Sequence, residues 1–224
     1  MAVIETVCFD LDGTLCVNRQ DDEDIHAAVF ERVGREPPFT VSDVRSVDPA
    51  ELPNDAESLV EFYEHLYGAV TDELGPAELR RLAEVTVDVV DETDVVFREG
   101  ARAAFEDARD RFDVGVLTQG RRETQAAKLE RLDVVDELDA FVTCGPGTGL
   151  APKPDPEPFE AVLTELDARA ESTLYVGNSL GGDVAGARGV GMHSAWVPQG
   201  DVPADPDPEP TYVLSTPGEL PDVL

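Results

Sequence analysis

Short apolar runs punctuate the chain at residues 3–9, 114–117, 140–142, 173–176, 194–197 and 212–214. They are too short for core helices, and their content of valine and aromatic residues predicts strands. Between most of them the apolar positions return to a spacing near 3.6, in segments 100–112, 123–132, 157–166 and the short 183–188. That periodicity predicts helices with one buried face. Strand and helix in alternation predict an α/β fold, a mostly parallel sheet with helices on both faces. The first run, Val3-Ile4-Glu5-Thr6-Val7-Cys8-Phe9, reads as a strand buried on both faces.

From residue 17 to 96 the alternation stops. Three amphipathic stretches, 23–33, 56–70 and 76–90, predict helices, with Pro76 suited to a first helical turn. Pro37-Pro38 and the proline-bearing segment 49–53 read as turns between them. The expected organisation is a catalytic core of residues 1–16 and 97–224, with 17–96 inserted after the first strand as an all-helical cap domain over the sheet's C-terminal edge. The segment 198–210, rich in Pro, Asp and Gly, reads as an exposed loop.

Charge narrows the possible partners. The 224 residues carry 48 acids against 17 bases, a formal net charge of −31. The acids are spread along the whole chain, unlike an acidic tail. With no basic face to neutralise phosphates, nucleic acid is excluded as a partner. Only Lys128 and Lys153 are lysines; every other basic residue is arginine. Dispersed acid with scarce lysine resembles the proteins of salt-loving (halophilic) organisms. At about 1 M salt the Debye length is only about 3 Å, so surface self-repulsion is screened. No stretch reaches the roughly 20 apolar residues of a membrane span. The first residues lack the basic start of a secretory signal, so a soluble, cytoplasmic protein with no membrane partner is expected. Cys8, Cys16 and Cys144 show no metal-ligand spacing and fit a reduced compartment. Cys16 lies near the candidate chemistry, but no base flanks it to mark a nucleophile.

That chemistry begins with Asp10-Leu11-Asp12-Gly13-Thr14-Leu15, directly after the first predicted strand. Carboxylates at i and i+2 project to one side of an extended backbone. Two like charges so close need a cation or a shared proton. The ends of parallel strands are where such sheets bind ligands, and polar residues gather at the other predicted ends too. Leu117-Thr118-Gln119-Gly120 closes the second strand and Gly177-Asn178-Ser179 the fourth. Lys153 follows the third, and Asp183 opens the next helix. Taken singly, each residue has a plain structural reading as a turn, strand-end or helix-start residue; their convergence on one rim favours a site.

In this order the segments resemble the motifs of the haloacid dehalogenase-like (HAD) hydrolase superfamily: Asp10-Leu-Asp12-Gly-Thr-Leu the first, Thr118 the second, Lys153 with Pro-Asp-Pro-Glu-Pro-Phe the third, and Gly177-Asn-Ser-Leu-Gly-Gly-Asp183 the fourth. The resemblance covers residues 1–16 and about 97–197. It implies a Rossmann-like core and a Mg2+-dependent phosphatase acting on a small phosphorylated metabolite, a sugar phosphate or phosphoglycolate-like acid. By the same resemblance Asp10 is the nucleophile that forms an aspartyl-phosphate, and Asp12 the acid and base. The metal set it implies is Asp10, Asp12 through its backbone carbonyl, Asn178 and Asp183. Thr118, Gln119, Gly120 and Lys153 would bind the phosphoryl group, Thr118 and Lys153 belonging also to the catalytic set. Asn178 stands where the family usually has Asp, which implies weaker metal binding. Gln119 stands where Asn is frequent, a milder change. The rival activities are a phosphomutase on the same core, a 2-haloacid dehalogenase, and a non-catalytic binding or regulatory protein. Asp12 and Asp183 weigh against the dehalogenase, because halide needs neither an acid nor magnesium. His26 and His65 read as structural residues of the inserted helices, His193 as a strand-edge residue, and Arg121 and Arg122 as a helix-start pair, with substrate contact and a solvated face both open.

Overall fold

The computed structural model describes residues 3–47, 52, 53, 56, 58–200 and 202–224. It divides into two compact units, Met1–Val17 with Val95–Leu224, and Asn18–Asp94.

The first unit is built on a six-stranded parallel sheet. Its strands are β1 (Thr6–Phe9), β4 (Asp113–Gln119), β5 (Ala140–Cys144), β6 (Thr173–Gly177), β7 (His193–Trp196) and β8 (Tyr212–Val213), in the order β5-β4-β1-β6-β7-β8. A short pair, β2 (Cys16–Asn18) with β3 (Val95–Phe97), forms a separate two-stranded sheet. At three residues each, these two fall below what periodicity in the sequence detects. In the large sheet Phe9 of β1 lies between Val116 of β4 and Val176 of β6. The chain winds outward from β1 in both directions, so β1 and β6 flank the switch point where such sheets open a crevice at the strands' C-terminal ends.

Alternation along β1 divides the core. Val7 and Phe9 join Phe105 of α5 (Ala101–Arg111) and Leu129 of α6 (Arg122–Leu132) on one face. Cys8 joins Phe159 and Val162 of α7 (Pro156–Glu165) and Ala187 of α8 (Ala185–Gly189) on the other. All of these side chains are fully buried, which is the two-faced α/β architecture expected from the sequence. One predicted helix differs: 183–188 divides into a π-helical turn, Leu180–Val184, and α8. The Ser179 hydroxyl accepts from Gly182 N at 3.0 Å and opens that turn.

The second unit, among its described residues, carries four helices: α1 (Asp22–Val33), α2 (Val41–Arg45), α3 (Leu59–Val70) and α4 (Pro76–Val89). Its own core gathers Val29, Phe30, Phe39, Tyr67, Leu74 and Leu82. His26 packs on the Phe30 and Phe39 rings, with Nε2 3.1 Å from the Phe39 carbonyl oxygen, a packing role. Helix α3 starts later than the predicted 56, because Ser58 caps it by accepting from Glu61 N at 3.2 Å. Residue 57 of that predicted helix, 49–51 of the predicted turn and 201 of the predicted loop lie outside the described residues. The five-residue α2 was not expected; a reciprocal cap between Thr40 and Asp43 supports it where periodicity is too short to show.

Candidate active site

Four strand ends supply the site. Asp10 follows β1, and its N–H donates to the Val176 carbonyl at 2.9 Å, which places it where β1 and β6 diverge. Thr118 is the penultimate residue of β4 and pairs with Thr143 of β5. Lys153 comes from the loop between β5 and α7, and Asp183 from the π-helical turn after β6. Gly177 permits the last of these. A Cβ there would overlap the Asp183 carboxylate, so only glycine lets that side chain fold back onto the strand end.

Lys153 links the two buried aspartates. Its Nζ donates to Asp10 Oδ1 at 2.8 Å and Asp183 Oδ1 at 2.7 Å, and lies 3.3 Å from the Tyr175 hydroxyl. Tyr175 donates to the Leu117 carbonyl at 2.9 Å, which holds its oxygen beside the ammonium. All four side chains are nearly inaccessible to solvent. Burial pushes the Asp10 carboxyl up to about 7; Lys153 opposes that rise, and the Asp183 and Asp12 charges reinforce it. For Lys153 burial works against the ammonium, but Asp10 and Asp183 outweigh it and hold the side chain well above the ordinary lysine value.

Asp10 Oδ2 faces the other way. It accepts from the Thr14 hydroxyl at 3.1 Å, and the inward end of the Asn178 amide lies 3.3 Å from it and from the Asp12 backbone oxygen. Turned with its NH2 inward, the amide donates to both. Turned with its oxygen inward, it accepts from Thr14 at 3.3 Å and completes a group of three oxygens that suits a hard, oxygen-seeking cation. Among the described residues no cluster of three or more His, Cys, Asp or Glu side chains is arranged to hold a metal. The donors gathered here are instead one carboxylate, one backbone carbonyl and one amide. Asp183, expected in the metal set, has both carboxylate oxygens engaged within the protein, Oδ1 by Lys153 and Oδ2 by Ser179 N at 2.9 Å.

The Asp12 side chain is held by two residues that sequence reasoning missed. Lys128 Nζ donates to both carboxylate oxygens at 2.8 Å, and Gln125 Nε2 donates to Oδ2 at 2.8 Å. The same Gln125 nitrogen reaches Thr118 Oγ1 at 2.9 Å and the Gln119 carbonyl at 2.7 Å. Gly120 makes room for this. Its φ of +134° is one that glycine tolerates, and a Cβ would stand 3.0 Å from Gln125 Nε2. Of the residues expected to bind phosphoryl oxygens, Thr118 is buried beside this network. Gln119 is exposed, and the Gly120 N–H donates to the Cys144 carbonyl at 3.0 Å. Arg98, also missed, donates to the carbonyls of Gly13, Val197 and Pro198 and ties the first loop to the end of β7. Cys16 donates from Sγ to Asp12 Oδ1 at 3.8 Å; burial first, and the Asp12 charge next, push its thiol well up, which argues against a reactive thiolate.

The chain is similar to known proteins. A family model described as haloacid dehalogenase-like hydrolase matches residues 4–191. N-acylneuraminate-9-phosphatase of Rattus norvegicus is 28% identical over 165 residues, 71% of this chain and 66% of that protein. The chain therefore spans slightly under two thirds of that relative's length. Pyrophosphatase PpaX of Bacillus mycoides is 27% identical over 227 residues, 99% of this chain and 97% of the relative. The HAD-hydrolase YfnB of Bacillus subtilis, solved bound to magnesium, matches in fold with a TM-score of 0.71 at 22% identity, over 99% of each chain.

Proposed function

Because the chain belongs to the haloacid dehalogenase-like hydrolases, we propose that it is a phosphatase for a small phosphorylated metabolite, working through a phosphorylated Asp10. The observation that carries this reading is the pair of lysine-held aspartates two residues apart. Asp10 is buried against Lys153, and Asp12 is held by Lys128 with its own side chain half exposed. One carboxylate is thus set as a nucleophile in a desolvated pocket and the other as a proton carrier at its mouth.

The chemistry proceeds in two steps. An Asp10 carboxylate oxygen attacks phosphorus; the P–O bond to the leaving group breaks, and the leaving oxygen takes its proton from the Asp12 carboxyl. Water then attacks phosphorus and gives a proton to the Asp12 carboxylate. The bond to Asp10 breaks, inorganic phosphate departs and both side chains are restored. Lys153 and Thr118 bind the phosphoryl oxygens. The oxygens at Asp10, the Asp12 carbonyl and Asn178 fit magnesium, with Asp183 supporting them through the shared Lys153. When bound, the ion would offset charge on Asp10 and on the transferring phosphoryl oxygens. The inserted segment between the first and second motifs is the part of the chain to which we assign substrate selection, and a sugar phosphate or phosphoglycolate-like acid is the substrate class that the family resemblance implies. The dispersed acidity suits a cytoplasm rich in salt.

The test is hydrolysis of p-nitrophenyl phosphate in molar KCl, with and without magnesium, by wild type and an Asp10→Asn variant. Turnover that needs both magnesium and Asp10 is expected. Equal release by the variant would overturn the assignment.

A further inference from the structure

We propose that Lys128 and Gln125 are positioning residues that hold the Asp12 carboxylate in register with the phosphoryl-binding hydroxyl of Thr118. This rests on the reading of Asp12 as the acid and base. They stand three residues apart on α6, so one helical face carries both. Lys128 approaches the carboxylate from behind, with 7% of its side chain exposed against 48% for Asp12. Gln125 joins Asp12 to Thr118 through a single amide nitrogen.

Two observations set this arrangement apart from ordinary core packing. The chain uses arginine for every cation except Lys128 and Lys153, and both of these are buried, one on each of the paired aspartates. A compact ammonium is therefore specified at these two places and nowhere else. The second is Gln125 itself: its Oε1 is buried with no hydrogen-bond partner among the described residues while its Nε2 has three acceptors. A buried amide that leaves its oxygen unpaired loses stability for the sake of where its nitrogen points. A buried ion pair likewise adds little net stability over a well-packed apolar pair. Both features favour placing Asp12 over holding the fold.

The test compares Lys128→Met and Gln125→Leu with Asp12→Asn, using p-nitrophenyl phosphate, magnesium and molar KCl. Nitrophenolate is a good leaving group, so its release in the first step needs little acid; the second step still needs Asp12 as base. Both variants should therefore keep a burst of about one nitrophenolate per enzyme, while steady turnover and KM fall together, roughly 100-fold, and kcat/KM stays within about three-fold of wild type, matching Asp12→Asn. A mere packing role would lower the burst and the turnover together. Turnover within about three-fold of wild type in both variants, with Asp12→Asn collapsed, would overturn the positioning inference alone. Normal turnover in Asp12→Asn would overturn the acid/base reading and this inference with it. Should Lys128→Met not fold, Gln125→Leu, which preserves bulk and the ion pair, decides the matter.

Discussion

Replacing Lys153 by methionine removes the ammonium shared by Asp10 and Asp183 and leaves their carboxylates without it, at 5% and 1% exposure. The methionine stem fills most of the same space, so the loss is electrostatic. Breaking a buried ion pair by deleting one partner costs about 3–5 kcal/mol. At roughly 2–4 °C per kcal/mol for a chain of this size, the melting temperature should fall by about 6–20 °C. The deficit should depend on pH. Asp10 is already raised from 3.8 to about 7 with Lys153 opposing the rise, so removing Lys153 lifts it further. A carboxyl raised in the folded state binds protons there more tightly than in the unfolded chain. Its burden on stability is therefore absent below about pH 4 and complete above the folded value. Wild type carries the same burden up to about pH 7, so the variant's deficit should be smallest below about pH 7 and should grow as the pH rises from there to about 9. The assay is thermal melting by circular dichroism in molar KCl across that range. Arg169→Met serves as the control, because its ion pairs with Glu5 and Glu171 are exposed and should leave the melt nearly unchanged. A Lys153→Met deficit of under about 2 °C, or one that does not vary with pH, would refute the account of Lys153 as the charge partner of both aspartates.

Asn178→Asp adds a carboxylate beside Asp10 Oδ2 and the Asp12 carbonyl, and should lower the magnesium concentration for half-maximal activity several-fold; titration of turnover against magnesium checks this, and an unchanged or higher value counts against Asn178 as a metal donor. All three cysteines are buried and their thiols are pushed up by burial first, so the native protein should react with a thiol reagent such as DTNB far more slowly than the unfolded chain; rapid labelling of one thiol in the native protein would contradict the structure around Cys16. With a net charge of −31, the melting temperature should rise on going from about 0.1 M to about 1 M KCl as the Debye length shortens from about 10 Å to about 3 Å; a flat or falling dependence would argue against adaptation to high salt.

The alternating sheet was legible because β1, β4 and β6 are apolar on both faces and are separated by helices with clear periodicity. The gathering of Asp10, Thr118, Lys153 and Asp183 at one end of the sheet was legible because each lies at, or in the segment after, the C-terminal end of a predicted strand. Lys128 and Gln125 were not. In a helix, polar residues three apart read as a solvated face, and only the packing of α6 against the sheet turns that face towards Asp12. One signal did exist: the chain has only two lysines, and Lys128 is one of them. The ion pairs of Lys153 with Asp10 and Asp183 were also hidden, since they depend on one lysine bridging carboxylates from separate loops. The short strands β2 and β3 and helix α2 rest on pairing and capping that no hydrophobic period announces.

The central claim is that Asp10 carries the phosphoryl group and that water releases it by attacking phosphorus. A single turnover in 18O-labelled water, with enzyme in excess over p-nitrophenyl phosphate and magnesium present, followed by mass spectrometry of phosphate and of the peptide containing Asp10, tests it directly. The account predicts phosphate on Asp10 in samples acid-quenched before turnover ends, then one labelled oxygen in the released phosphate and no label in Asp10; an Asp10 never phosphorylated would contradict it. Label appearing in the Asp10 carboxylate would show attack at its carbonyl carbon, the route of a carbon-ester intermediate, and would contradict it.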